Sequence, residues 1–116
     1  MKGFNSNIER DTLKNINFRK VLYTGTHLQL VLMSLKIGEE IGMEIHQEND
    51  QFFRFESGIG KCIVDGNTYL VKDGDVLVVP AGAKHNVINV DSKKELKMYT
   101  IYAPPNHKDG IAKTIK

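Results

Sequence analysis

The chain lacks the features that mark secreted, membrane-spanning and disulfide-stabilised proteins. It has 116 residues and a single cysteine, Cys62, so no disulfide can form within the chain, which favours a reducing compartment. No apolar run approaches the roughly 18 residues that a membrane-spanning helix needs. Residues 1–10 also lack the apolar segment of a secretory signal. We therefore expect a cytoplasmic protein without a membrane partner.

The chain also has no excess of charge of either sign. Its 16 basic and 14 acidic residues leave a formal net charge of +2, and the two signs are interspersed. Because nucleic-acid-binding domains carry a basic stripe or patch, we expect no nucleic-acid partner. Hydrophobic residues make up 41% of the chain, which is ordinary for one globular domain.

Short apolar runs separated by turn residues dominate the chain, and no long helical pattern is present. Residues 11–14 predict only a short helical turn, and Asp65-Gly66 between two apolar runs predicts a tight hairpin. Short strands at this spacing are typical of all-β sandwiches and barrels. We divide the chain into an N-terminal arm (1–19), a barrel (20–105) and a polar C-terminal tail (106–116). The predicted strands are 20–23, 28–37, 51–56, 61–64, 68–72, 75–80, 86–90 and 96–102.

Residues 74–89 carry the most specific signal in the sequence. A turn at Gly74 starts an apolar run, a turn from Pro80 to Gly82 ends it, and His85 follows three residues later. This order and spacing resemble the second motif of the cupin proteins, which are small jelly-roll barrels with a metal inside. The resemblance implies an all-β fold, a double-stranded β-helix jelly-roll barrel in a single domain.

The segment from Gly38 to Gly58 resembles the first cupin motif. Counted from its glycines, the three ligand positions of that motif fall on Glu44, His46 and Gln51. Two of them depart from the family pattern, because Glu44 stands in place of a histidine and Gln51 in place of a glutamate. The resemblance therefore implies an unusual set of ligands.

A three-residue spacing would make Asp50 the third ligand instead of Gln51. We prefer Gln51, because it shares a strand face with Phe53 and Phe55 and because only its spacing fits Gly58.

The chemistry of these side chains suits a divalent metal. Glu44 and His46 are two residues apart on an extended segment, so they point to the same face. With His85 they form two imidazoles and one carboxylate, the facial arrangement used for ferrous iron and similar metals. The resemblance implies a metal site of Glu44, His46, Gln51 and His85, in which Gln51 supplies a neutral oxygen or holds a water. Mn, Fe, Co, Ni and Zn all suit this set.

Two features after the second motif bear on the site. Tyr99 and Tyr102 lie on the last predicted strand, and only one of them can point inward. His107 follows on a loop that either folds over the barrel mouth, as a proton carrier, or stays on the surface.

Residues 17–25, 38–42, 50–54 and 99–105 are similar to a subgroup of small bacterial cupins labelled mannose-6-phosphate isomerase-like. The resemblance implies a small-molecule ligand, a homodimer and a metal-dependent sugar or sugar-phosphate isomerase. If Glu44 does not bind the metal, it is the candidate proton carrier. Lys84 is the only evident phosphate anchor near the motifs.

Two alternatives stay open. One is an iron-dependent dioxygenase of a small aromatic or keto substrate, and the other is a non-catalytic binding or sensing module. For the dioxygenase, the substrate would lie against an apolar wall of Phe53, Phe55, Val78 and Met98.

Overall fold

Ten strands and one short helix make up the protein, and the computed structural model describes all 116 residues. Several of the strands alternate between buried and more exposed residues, as a sheet with one face on a core requires. The elements are α1 (Ile8–Lys14), β1 (Arg19–Thr24), β2 (Gln29–Leu35), β3 (Glu44–Ile45), β4 (Asp50–Ser57), β5 (Ile59–Val64), β6 (Asn67–Lys72), β7 (Val76–Val79), β8 (Lys84–Asn89), β9 (Leu96–Ala103) and β10 (Ala112–Lys113).

The strands form two antiparallel sheets that face each other across one core. The larger has the order β10-β1-β2-β9-β4-β7 and the smaller β3-β8-β5-β6. A cluster of 18 buried hydrophobic residues fills the space between them. Phe53, Phe55 and Met98 are fully buried there, and burying each contributes about 1.5–3 kcal/mol. The predicted jelly-roll fold is confirmed.

The hairpin predicted at Asp65-Gly66 joins β5 to β6. Asp65 has a φ of 46° and Gly66 one of 81°, so both central residues lie in the left-handed region that a type I′ turn requires. This turn explains the Asp-Gly pair in the sequence and confirms the prediction.

The two chain ends are more structured than the sequence indicated. The helix α1 begins at Ile8, after Asn7, whose side chain accepts a hydrogen bond from the Arg10 amide at 2.9 Å. Near the other end, β10 pairs with β1 and places Lys113 opposite Arg19. The C-terminal segment therefore returns to the edge of the larger sheet.

The prediction that Val78 lines the interior was wrong. Within β7, Leu77 and Val79 are buried, whereas Val78 is 61% exposed. Because successive side chains of a strand point to opposite faces, Val78 lies on the outer face, and β7 is the last strand of its sheet.

No helix in this protein combines the length and the apolar character needed to cross a lipid bilayer. The homodimer stays a prediction, as does the division of the chain into arm, barrel and tail.

Candidate metal centre

Three potential metal ligands converge at one end of the smaller sheet. Glu44 on β3 lies directly opposite His85 on β8, and His46 follows β3 immediately. One donor atom from each of the three lies within 4.8 Å of the others. The Glu44 Oε1 and His46 Nε2 atoms are 3.8 Å apart. The fold thus brings together residues that are about 40 positions apart in the sequence.

The hydrogen bonding of the two histidines fits a metal between them. The Nδ1 of His85 lies 3.1 Å from the carbonyl oxygen of Ala83. Nδ1–H donates to that carbonyl, so the lone pair of Nε2 faces the site. The Nε2 atoms of His85 and His46 are both buried without any hydrogen-bond partner. A buried polar atom left unpaired costs about 1–3 kcal/mol, and coordination to a metal would remove this cost.

The spacing of the donors also suits a metal. A metal about 2.1 Å from each donor holds neighbouring donors about 3.0–3.4 Å apart. The 3.8 Å between the Glu44 Oε1 and His46 Nε2 atoms is about 0.4–0.8 Å longer than this spacing. Glu44 is the more exposed of this pair, with 33% of its side chain accessible against 12% for His46, so the site opens to solvent on the Glu44 side.

Gln51 faces the same interior from the opposite sheet. It lies on β4 opposite Tyr102 of β9 and is only 2% exposed. Its Nε2 donates to the Thr100 hydroxyl at 3.0 Å, which orients the amide and leaves Oε1 buried with no partner. An oriented, unpaired oxygen suits the role of a neutral ligand or of an acceptor for a bound water.

Asp50, the alternative ligand, does not face this interior. It is exposed, and its Oδ1 accepts a hydrogen bond from the Ala81 amide at 2.9 Å. Asp50 therefore stabilises the turn between β7 and β8.

Tyr102 and His107 close the barrel beside the histidine pair. The Tyr102 ring is 1% exposed and meets the His46 ring edge-on at a centroid distance of 5.5 Å. The His107 ring also packs edge-on against the Tyr102 ring, at a centroid distance of 5.0 Å, with its Nε2 atom 3.1 Å from the Tyr102 hydroxyl. The Gln29 side chain holds this loop by donating to the His107 carbonyl at 2.7 Å. Of the two tyrosines on β9, Tyr102 is the one that points inward.

The barrel interior favours the neutral forms of these groups. Burial lowers the pKa of His46, an effect that the neighbouring Glu44 carboxylate partly opposes. Burial also lowers the pKa of His107 to about 4, helped by the positive charge of Arg19. For Tyr102, burial raises the pKa well above its ordinary value. At neutral pH, His107 is therefore an uncharged imidazole beside an un-ionised phenol.

Lys84 does not serve as an anchor within the site. It is exposed and lies opposite Ile45, which is 48% exposed. Both residues neighbour the inward-facing Glu44 and His85 along their strands, so they point to the outer face of the sheet.

The cation that does reach the interior is Arg19, which sequence reasoning missed. Arg19 was placed in the N-terminal arm. The sequence signal for an inward-facing position was its spacing of two residues from the apolar Val21, which is 8% exposed in the structure.

The sequence matches the family model described as "Cupin domain" over residues 31–102. The chain is 49% identical to the uncharacterized protein YrkC of Bacillus subtilis, over 99% of this chain and 64% of YrkC. It is 43% identical to an uncharacterized protein of Acanthamoeba polyphaga mimivirus, over 90% of this chain and 67% of that protein. The chain thus spans about two thirds of the length of these curated relatives.

A solved structure shares this architecture along nearly the whole chain. The crystal structure of BH2720 from Bacillus halodurans superposes with a TM-score of 0.96 at 42% identity, covering 98% of this chain and 90% of that one.

Proposed function

The chain belongs to the cupin domain family, and we propose that it is a metal-dependent cupin that binds a small oxygen-donor molecule inside the barrel. Glu44, His46 and His85 would hold a divalent transition metal, with Gln51 as a fourth, neutral ligand. The observation that carries the proposal is the pair of buried histidine Nε2 atoms without partners, beside a carboxylate within 4.8 Å. A bound metal of this kind would polarise a carbonyl or hydroxyl oxygen and lower the pKa of a coordinated water.

The residues around the site would orient the ligands and restrict what can enter. The Ala83 carbonyl fixes the tautomer of His85, and Thr100 fixes the Gln51 amide. Glu44 has 33% of its side chain accessible, so a ligand would enter on the Glu44 side.

As the reaction, we propose an isomerisation that moves a proton within this ligand. The specific support is the contact between the Tyr102 hydroxyl and His107 Nε2 at 3.1 Å. These two neutral groups lie side by side, and the edge of the Tyr102 ring meets His46. A hydroxyl and a neutral imidazole can pass a proton between the ligand and solvent without a net charge being buried. A sugar phosphate is a poorer candidate than an unphosphorylated ligand, because Lys84 points away from the site.

An iron-dependent dioxygenase is the second candidate. Two histidines and one carboxylate with further positions open is the ligand set of non-haem ferrous oxygenases. Oxygen uptake by the ferrous protein with a panel of small aromatic and keto compounds favours the dioxygenase. Solvent-proton exchange into hydroxy-carbonyl compounds, without oxygen uptake, favours the isomerase.

Cobalt(II) titration tests the metal site itself. We expect visible absorption bands that saturate with the wild-type protein and are lost in His46→Ala. The control variant is His27→Ala, because His27 is an exposed histidine outside the site. Equal spectra for wild type and His46→Ala would contradict the proposed ligand set.

A further inference from the structure

Gln29 is a fully buried amide on the inner face of the larger sheet. It is 0% exposed and lies directly opposite Tyr102 in the pairing of β2 with β9. The side chains of directly opposite residues stand side by side on one face of a sheet. Gln29 is therefore the neighbour of the tyrosine whose hydroxyl meets His107.

Three of the four hydrogen bonds of the Gln29 side chain hold the loop that follows β9. Its Oε1 accepts from the Asn106 amide at 3.0 Å and from the His107 amide at 2.8 Å, and its Nε2 donates to the His107 carbonyl at 2.7 Å. The fourth bond runs from Nε2 to the Thr24 hydroxyl at 3.0 Å, which itself donates to Asp109 of the same loop at 3.1 Å. A side-chain amide offers two donor hydrogens and an acceptor oxygen with two lone pairs, so Gln29 has no polar position left for another partner.

Little else fixes this loop. Among residues 106–110, His107 alone is not exposed, and none of the five is a hydrophobic residue. On one side of this stretch Ile111 packs against the core, and on the other Asn49 donates a hydrogen bond to the Pro104 carbonyl. Segments with few buried apolar contacts open at low cost in free energy. The position of His107 therefore depends on its hydrogen bonds to Gln29.

We propose that Gln29 is a positioning residue, which binds the loop at residues 106 and 107 so that the His107 imidazole stays 3.1 Å from the Tyr102 hydroxyl. This inference rests on the proposed function, in which that pair passes a proton between the ligand and solvent. Because proton transfer requires heavy atoms within about 2.6–3.2 Å of each other, a displaced imidazole would break the transfer. Gln29 has no free polar atom for the ligand, so it acts only through His107.

NMR titration of the His107 imidazole, in metal-free protein with chelator present, tests the proposal without relying on activity. Burial lowers the pKa of His107 from 6.5 to about 4. Gln29→Met keeps an unbranched side chain of similar size and removes all four hydrogen bonds, so the loop should move into water and the pKa should return towards 6.5. The other charges that act on this imidazole are those of Arg19, His46 and Lys113, and the substitution leaves them in place.

The matched control is Gln47→Met, the same substitution at an exposed glutamine outside the loop. It should leave the pKa of His107 at its wild-type value. A wild-type pKa of His107 in Gln29→Met as well would overturn the proposal.

If Gln29→Met does not fold, hydrogen exchange in the wild-type protein decides. The amides of Asn106 and His107 both donate to Gln29, so they should exchange about 10-fold more slowly than in an unstructured chain. Unprotected amides at both positions would overturn the proposal.

Solvent-proton exchange into hydroxy-carbonyl compounds by the zinc-loaded protein tests the functional part with a double-mutant cycle. Gln29→Met and His107→Gln should each slow this exchange about 100-fold. Adding Gln29→Met to His107→Gln should cost no more than about a further twofold, because the two residues act as one unit. Losses that multiply would overturn the positioning role, since Gln29 would then act independently of His107.

The two kinds of measurement separate the two proposals. Exchange that is present in wild type but does not depend on Gln29 sinks only the positioning role. A wild-type protein without any proton exchange sinks the isomerisation and the proton transfer through His107 together, whatever the titration shows about the loop.

Discussion

The glycine that closes the first motif, Gly58, provides a sharp test of how the fold positions the site. Its φ is +89°, and a Cβ atom added there would lie 2.6 Å from the Glu95 carbonyl oxygen and 3.0 Å from the Leu96 Cα. Both are backbone atoms at the start of β9, so neither can rotate away. That strand also carries Thr100, which orients the Gln51 amide.

Gly74 is a matched control for Gly58. Its φ is +90°, but a Cβ atom there would meet nothing within 4 Å. Alanine at either position bears the cost of the left-handed conformation, about 1–2 kcal/mol. Only Gly58→Ala adds an overpacking cost of about 1–3 kcal/mol. We therefore expect losses of about 1–2 kcal/mol for Gly74→Ala and about 2–5 kcal/mol for Gly58→Ala.

Urea unfolding followed by far-UV circular dichroism measures both losses, and the chain has no tryptophan to provide a fluorescence signal. At about 4 °C per kcal/mol for a domain of this size, melting temperatures should fall by about 4–8 °C for Gly74→Ala and about 8–20 °C for Gly58→Ala. Equal losses in the two variants would refute the claim that close backbone contact, in addition to φ, demands glycine at position 58.

Three further outcomes are expected. Without metal, the free energy of unfolding should fall as pH drops from about 6.5 towards 4. In this range the unfolded chain binds a proton at residue 107, whereas folded His107, with its pKa lowered to about 4, does not. In urea unfolding with chelator present, His107→Gln should flatten this slope, and His27→Gln, at an exposed position, should not. Since burial raises the pKa of Cys62 to about 12, a thiol reagent at pH 8 should label Cys62 only after unfolding, and rapid labelling of the folded protein would contradict its burial. Free zinc at about 100 times its dissociation constant should add about 2.7 kcal/mol to the free energy of unfolding, raising the melting temperature by about 10 °C, and an equal rise in His85→Ala would contradict the site.

Much of the architecture follows from local patterns in the sequence. The Asp65-Gly66 hairpin depends on two residues that tolerate positive φ, so neighbouring residues alone predict it. The inward direction of Tyr102 on β9 follows from simple alternation, because that strand is regularly half buried. The positions of Glu44, His46 and His85 follow from the spacing of the motifs, and their role as ligands stays a prediction.

Other features depend on contacts that no local pattern carries. The strands β3 and β10 are two residues long, too short to show any periodicity. In β1, the pairing with β2 shifts register between Val21 and Tyr23, which breaks the alternation in the second half of that strand. Val78 is an apolar residue within an apolar run, so its sequence neighbours suggest that it is buried. Its strand lies at a sheet edge and its outer face is uncovered, so Val78 is exposed.

Elemental analysis of the purified, untagged protein tests the central claim most directly. We expect the wild-type protein to retain a divalent transition metal in stoichiometric amount after desalting, and His46→Ala and His85→Ala to retain none. His27→Ala, which removes an exposed histidine, should retain as much metal as wild type. Full occupancy in both site variants would contradict the account, because the metal would then be held elsewhere in the protein.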